Sequence, residues 1–196
     1  TGLFEAAKVY LPKGENELPY EPLHVSVGFY GEGDFYRMKG VAELIAKGAG
    51  IAARYTACTD EPTFHPGRCA RMTTEDGRVL GVFGQVHPLV AAGYGFDYDV
   101  YAAEFNADVI LECADFEKHF SPLPKHPALT RDFAFVCREE LEVAEIEEVM
   151  ARAGGKTIEE IRLFDVYRGA QTGEGMKSVA FSVTMRAPDR TLTDEE

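Results

Sequence analysis

Three prolines in ten residues, Pro122, Pro124 and Pro127, do more than any other feature to limit how this chain can fold. Each lacks a backbone N–H and pushes its predecessor toward extended backbone. Neither a helix nor an inner strand can run through that segment. The sequence therefore predicts two domains, 1–118 and 119–196, which suits a length of 196 residues. No apolar run approaches the roughly 20 residues of a membrane helix. Thr1 to Val9 hold no basic stretch followed by an apolar one, so no secretory signal and a cytoplasmic location are expected.

The four cysteines, Cys58, Cys69, Cys113 and Cys137, form no C-x-x-C pair, and buried reduced thiols are the expectation. A formal net charge of −13 argues at first against a nucleic-acid partner. The charge is unevenly spread. Six of the acids after residue 118 fall between Glu139 and Glu148, which reads as a solvated helix face, and three more are Asp194, Glu195 and Glu196. The remainder of that half is net basic.

In the first half, Leu23, Val25, Val27 and Phe29 alternate with polar or small residues, the period of a half-buried strand. Asp34 is placed to cap a helix through Lys47, with Met38, Val41, Ala42 and Ile45 on one face. Strands are expected at 69–73, 79–86 and 100–105, a short helix from Pro88 to Gly93, and another from Asn106 to Glu112. Chemistry-bearing motifs are few. The five histidines have no H-x-x-x-H spacing, so no metal site is expected. Gly154-Gly-Lys156 is no phosphate loop, because the first glycine of that motif would fall on Met150. Gly93-Tyr-Gly95-Phe96 reads as a turn. Asp97 and Asp99 have no nearby nucleophile or base, so no catalytic residue is expected.

The second half is cleaner. Phe133, Phe135 and Cys137 mark a strand. Ile146, Val149, Met150 and Ala153 mark a helix stopped at Gly154-Gly155, and 161–167 and 179–185 mark two more strands. Thr193-Asp-Glu-Glu196 has the capping-box form of another helix start. The order β-α-β-β-α matches a ferredoxin-like β-α-β-β-α-β unit, here expected to be cut as its second helix begins. Placing Phe133, Phe135, Phe164, Val166, Val179, Phe181 and Val183 under the helices leaves Ala134, Asp165, Tyr167, Ser178, Ala180 and Ser182 on the open sheet face. Arg162 and Arg168 then fall at the margins of the packed side. A small, polar face with one aromatic ring suits single-stranded RNA, whose bases splay out and stack. Lys125, Arg131 and Arg190 are candidate phosphate contacts.

Phe164-Asp-Val-Tyr-Arg-Gly169, Gly173-Glu-Gly-Met-Lys-Ser-Val-Ala-Phe181 and Arg190-Thr-Leu-Thr-Asp-Glu-Glu196 resemble the ferredoxin-fold anticodon-binding domain of phenylalanyl-tRNA synthetases. Lys125-His-Pro-Ala-Leu-Thr-Arg-Asp-Phe-Ala134 resembles that domain's opening. Asp34-Phe-Tyr-Arg-Met-Lys-Gly40, Phe64-His-Pro-Gly-Arg-Cys-Ala70, Gly84-Gln-Val-His-Pro88 and Val100-Tyr-Ala-Ala-Glu-Phe105 resemble the catalytic-like module of the bacterial-type beta subunit. The resemblance implies an α+β chain: a class II synthetase-like antiparallel sheet module without catalytic residues, then the anticodon reader. It implies the C-terminal part of a longer subunit that packs on a catalytic alpha subunit in an (αβ)₂ enzyme. ATP and magnesium are expected for that whole enzyme and none for this part of it. The family's contacts to the tRNA(Phe) anticodon loop map by motif position onto Ala134, Asp165, Tyr167 and Ser178. Alternatives are a ferredoxin-like module that binds a small regulatory molecule, and part of a single-chain organellar synthetase.

Overall fold

The structure, a computed structural model, describes residues 2–31, 33–117, 120, 122–169 and 171–193. It divides into two compact units, Thr1–Lys118 and His119–Glu196.

The first unit is a six-stranded antiparallel sheet. Its strands are β1 (Gly2–Lys8), β2 (Leu23–Tyr30), β3 (Ala53–Ala57), β4 (Phe64–Thr74), β5 (Val79–Val86) and β6 (Val100–Asn106), in the spatial order β1-β2-β6-β5-β4-β3. Helix α1 (Phe35–Gly48) covers one face. The Asp34 side chain accepts from the Arg37 backbone N–H at 2.9 Å, satisfying one of the free amides of the first turn. Met38, Ala42 and Ala46 of α1 are buried against Met72, Leu80, Phe83 and Phe105 of the sheet. Two short helices, α2 (Pro88–Gly93) and α3 (Ala107–Cys113), follow their expected start signals, proline at the first turn and an Asn106 cap.

β4 is longer than its alternation indicates, running through Pro66 and Gly67 with an irregular ladder between Phe64 and Cys69. An ideal Cβ on Gly84 would lie 2.3 Å from the Arg68 carbonyl oxygen, so glycine there lets β4 cross close to β5. β1 and β3 carry no clear period in the sequence; β1 is exposed along its whole length, so burial imposes no pattern on it.

The second unit is a three-stranded antiparallel sheet of β7 (Leu129–Arg138), β8 (Ile158–Tyr167) and β9 (Met176–Met185), in the order β7-β9-β8. Helix α4 (Val143–Gly154) begins with a capping box between Glu142 and Glu145, which employs two members of the acidic run. Val143, Ile146 and Met150 of α4 pack on Val179, Phe181 and Val183 of the middle strand. The helix start expected at Thr193 runs into 194–196, outside the described residues.

The ladder of β8 is irregular twice, between Ile158 and Glu160 and between Leu163 and Asp165, and the second irregularity sets the faces around the predicted site. Leu163 pairs with Phe181, yet Asp165 pairs with Ala180, so Phe164 is an extra residue with no partner of its own. This β-bulge resets the alternation. Phe164, expected in the core, is 52% exposed. Ile161 takes the packed side, and Arg162 pairs with Ser182 on the open side rather than facing the helix. Arg168 lies just past the strand and pairs with Glu139, so it too stays out of the core.

Candidate nucleic-acid interface

Strand register brings the four predicted site residues together. Ala134 of β7, Ala180 of β9 and Asp165 of β8 form one cross-strand row; Val136, Ser178 and Tyr167 form the next. Cross-strand neighbours on one face have Cβ atoms about 5 Å apart. Ala134, Asp165, Tyr167 and Ser178 therefore occupy one continuous patch. It lies on the face turned away from α4, because the alternate residues Val179, Phe181 and Val183 are those buried beneath the helix. Met176, Ser178, Ala180, Ser182 and Thr184 are all partly exposed on the open side.

Tyr167 supplies the ring of this patch and is 45% exposed. Its setting depends on Gly169, two residues on. An ideal Cβ at Gly169 would sit 2.3 Å from the Tyr167 hydroxyl oxygen and 2.6 Å from Cζ, so only glycine admits the ring as it lies. The following turn is pinned by Thr172, whose hydroxyl donates to the Gly169 carbonyl oxygen at 2.8 Å. Arg168 is fixed by Glu139 at 2.8 Å across the end of the sheet. Hydrogen bonding from that guanidinium holds the Glu139 carboxyl below its ordinary pKa. The Lys177 ammonium donates to the Glu139 carbonyl oxygen at 2.8 Å and is buried on the α4 side. Neither Arg168 nor Lys177 is placed as a loose cation over the patch.

Of the three candidate phosphate contacts, Arg131 pairs with Val183 and so belongs to the α4 side, not to the open face. Arg190 is paired with Asp189 at 3.2 Å. Lys125 is exposed and lies outside the strands. The sequence reading missed Arg162, because the bulge at Phe164 leaves no mark in the alternation. It also missed Arg138, which shares the β7 open face with Ala134 and Val136.

The open face of the first unit's sheet has a different chemistry. Its cleft is lined by Glu5, Glu61 and Glu104, with His24, Ser26 and Asn106 beside them. His24 Nδ1 and Glu104 Oε1 are 2.5 Å apart. Among the described residues no group of three or more His, Cys, Asp or Glu side chains is placed to hold a metal ion.

Residues 1–107 match the family description "Phenylalanyl tRNA synthetase beta chain CLM domain", more than half of the chain. The chain belongs to that family. Residues 124–196 match the ferredoxin-fold anticodon binding domain, the unit that carries the patch. The phenylalanine–tRNA ligase beta subunit of Clostridium tetani is 42% identical over 99% of this chain and 25% of its own length. Those of Clostridium acetobutylicum and Symbiobacterium thermophilum are 39% and 35% identical over the same share of the chain, covering 25% and 23% of the relatives. This member thus spans about a quarter of the curated relatives it matches. A solved structure of Desulfitobacterium hafniense pyrrolysyl tRNA synthetase aligns with 56% of this chain and 40% of its own. That alignment, at 14% identity and TM-score 0.46, is too distant to bear on the argument. No described helix is long and apolar enough to cross a membrane.

Proposed function

We propose that the second unit reads the anticodon loop of tRNA(Phe), and that the first holds the catalytic alpha subunit of an (αβ)₂ phenylalanine–tRNA ligase in the cytoplasm. The observation that carries the reading is the juxtaposition of Tyr167, Asp165, Ser178 and Ala134 on one open sheet face. The Tyr167 ring stacks on the first anticodon base. Asp165 and Ser178 take hydrogen bonds at base edges or ribose, and Ala134 allows the strand to come close. Stacking on an aromatic is how such sheets receive unpaired bases, and the small residues around it leave the ring accessible.

ATP and magnesium serve the whole enzyme away from this chain. A triphosphate would meet Glu5, Glu61 and Glu104 in the cleft of the first unit, three carboxylates that repel it. That unit's role in this reading is mechanical.

The test is a titration at low salt with the tRNA(Phe) anticodon stem-loop and with the same loop carrying a changed anticodon. Preferential binding of the native loop is expected. Tyr167→Ala should weaken it by roughly 1–3 kcal/mol. Equal binding of both loops, or a Tyr167→Ala variant with wild-type affinity, sinks the reading. Binding of free phenylalanine in place of either loop would favour a small-molecule module.

A further inference from the structure

The patch that reads bases needs a partner for the phosphates between them, and the chain's excess of acid makes that need acute. On the open face Asp132, Asp165 and Glu160 are all directed toward whatever lies on the sheet. Three arginines of the second unit are committed to carboxylates: Arg168 to Glu139, Arg186 to Glu159 and Arg190 to Asp189.

Arg138 and Arg162 differ. Both are exposed, and neither makes a side-chain hydrogen bond or ion pair among the described residues. Their rows bracket the reading patch. Arg138 pairs with Met176, one row beyond Val136-Ser178-Tyr167. Arg162 pairs with Ser182, one row beyond Ala134-Ala180-Asp165, and it reaches that face only because Phe164 is bulged out. Met176 and Ser182 are about 20 Å apart along β9 at roughly 3.4 Å per residue, and β7 and β8 lie two strand spacings apart, about 9.5 Å. The line from Arg138 to Arg162 is therefore a diagonal of about 22 Å that passes over Ser178 and Ala180.

We infer that Arg138 and Arg162 hold phosphodiester groups at the two ends of a single-stranded RNA track running diagonally across this sheet. The inference rests on the open face being the RNA face. The guanidinium fork matches phosphate oxygens and stays charged at any working pH, which a track flanked by three carboxylates requires. Asp165, whose row lies between those of the two arginines, then takes hydrogen bonds from base donors, while the arginines at the ends keep the backbone attached. Affinity and readout fall on different residues.

The experiment measures affinity of this chain for the native and the changed anticodon stem-loop across a salt series, in wild type, Arg138→Gln, Arg162→Gln, Arg162→Lys, Tyr167→Ala and Arg152→Gln. Arg152, in the last turn of α4, lies away from the sheet's open face. For a single strand, each phosphate that is no longer neutralised should lower the salt slope by about 0.7. Arg138→Gln and Arg162→Gln should each show that drop, weaken both loops equally and keep the preference for the native one. Arg162→Lys should restore the slope, and Arg152→Gln should leave it unchanged.

If wild type prefers the native loop and Tyr167→Ala loses affinity while both glutamine variants keep the full slope, the track is wrong and the reading of the face stands. If either glutamine variant abolishes the preference as Tyr167→Ala does, that arginine reads a base and the track is again wrong. If wild type shows no preference and Tyr167→Ala changes nothing, the face itself is wrong and the track falls with it.

Discussion

The two units are built from similar antiparallel strands and end up with opposite relations between sheet and cover. In the first, α1 seals one sheet face: Met38, Met72, Leu80, Phe83 and Phe105 are fully buried, and Phe29, Tyr101 and Ala103 nearly so. In the second, the buried apolar cluster is drawn from the middle strand, where Val179, Phe181 and Val183 lie under α4. Phe133 and Phe135 on β7 face the same side and stack on each other at 6.4 Å, yet stay 42% and 38% exposed. The first unit seals Phe29, Phe83, Tyr101 and Phe105 into one buried cluster with the α1 side chains. Among the described residues of the second, the α4 side is partly uncovered, and the other side carries Ala134, Asp165, Tyr167 and Ser178.

The polar interior repeats the contrast. In the first unit Gln85, 3% exposed, accepts from Arg68 and donates to Asp99, both at 2.7 Å, so both ends of a buried amide are satisfied. In the second, buried Lys177 donates to the Glu139 carbonyl oxygen, and the carboxylate ties, Arg168 to Glu139 and Arg186 to Glu159, lie at the surface. Such pairs contribute little to stability.

The largest expected effect follows from burial. Phe83→Ala should cost about 3–5 kcal/mol, the range for a fully buried phenylalanine that leaves a cavity. Phe181→Ala should cost a similar amount. Phe133→Ala, in the same cross-strand row as Phe181, should cost about 1–2 kcal/mol, because much of its ring is already in water. Urea unfolding measures all three. Eight of the nine tyrosines lie in the first unit and there is no tryptophan, so tyrosine fluorescence follows that unit. A Phe133→Ala penalty equal to that of Phe181→Ala would erase the distinction between a sealed and an open core.

The next effect is in pH. Burial pushes the Cys69 thiol and the Tyr55 hydroxyl up to about 12, and raises Cys58 and Tyr101 as well. All four belong to the first unit. A raised value means that the folded unit keeps its proton where the unfolded chain has lost it. Their contribution to stability is whole below about 8.5, the ordinary thiol value. It is lost as pH rises toward about 12. Glu139 in the second unit works the other way. Arg168 lowers its pKa, so its small contribution is present above about 4.3 and lost as pH falls. Asp60 and Asp76, also lowered, give the first unit an acid limb too, so the alkaline limb is what separates the units. Pulse proteolysis in urea at pH 7 and pH 10, with peptides assigned by mass, should show the larger fall in midpoint for the first unit. Equal falls would mean that the buried thiols and phenols do not set the difference.

How much was legible in the sequence follows the same line between units. Where one face of a strand or helix is buried, alternation declares it: Leu23 to Phe29, the Met38 helix and Val179 to Met185 are all where their periods put them. β1 is exposed throughout, so no face was selected and no period exists to read. The cysteines were separate in sequence, but the register that pairs Ala57 with Ala70 brings Cys58 beside Cys69 in one buried cluster. On the candidate interface, Ala134, Asp165, Tyr167 and Ser178 share a face as alternation implied. Arg162 was assigned the wrong side because a bulge adds one residue without changing composition. A single unpaired residue reverses every face beyond it, and nothing in Leu163-Phe-Asp165 announces which residue stands out.

The smallest effect tests whether the ring's setting, rather than its presence, matters to the open face. Gly169 has an ordinary negative φ, so alanine there meets no backbone penalty; the obstacle is the Tyr167 hydroxyl in the space its Cβ would take. Gly169→Ala must therefore turn the phenol away while leaving α4 and the Val179-Phe181-Val183 core untouched. Urea stability should change by less than about 0.5 kcal/mol, as for surface substitutions generally. Affinity for the native stem-loop should fall by part of the roughly 1–3 kcal/mol expected for removing the ring. The ring is displaced, not deleted, so the salt slope should not move. An affinity equal to wild type would mean that the phenol reorients freely on binding, and that preorganisation by Gly169 contributes nothing to the open face.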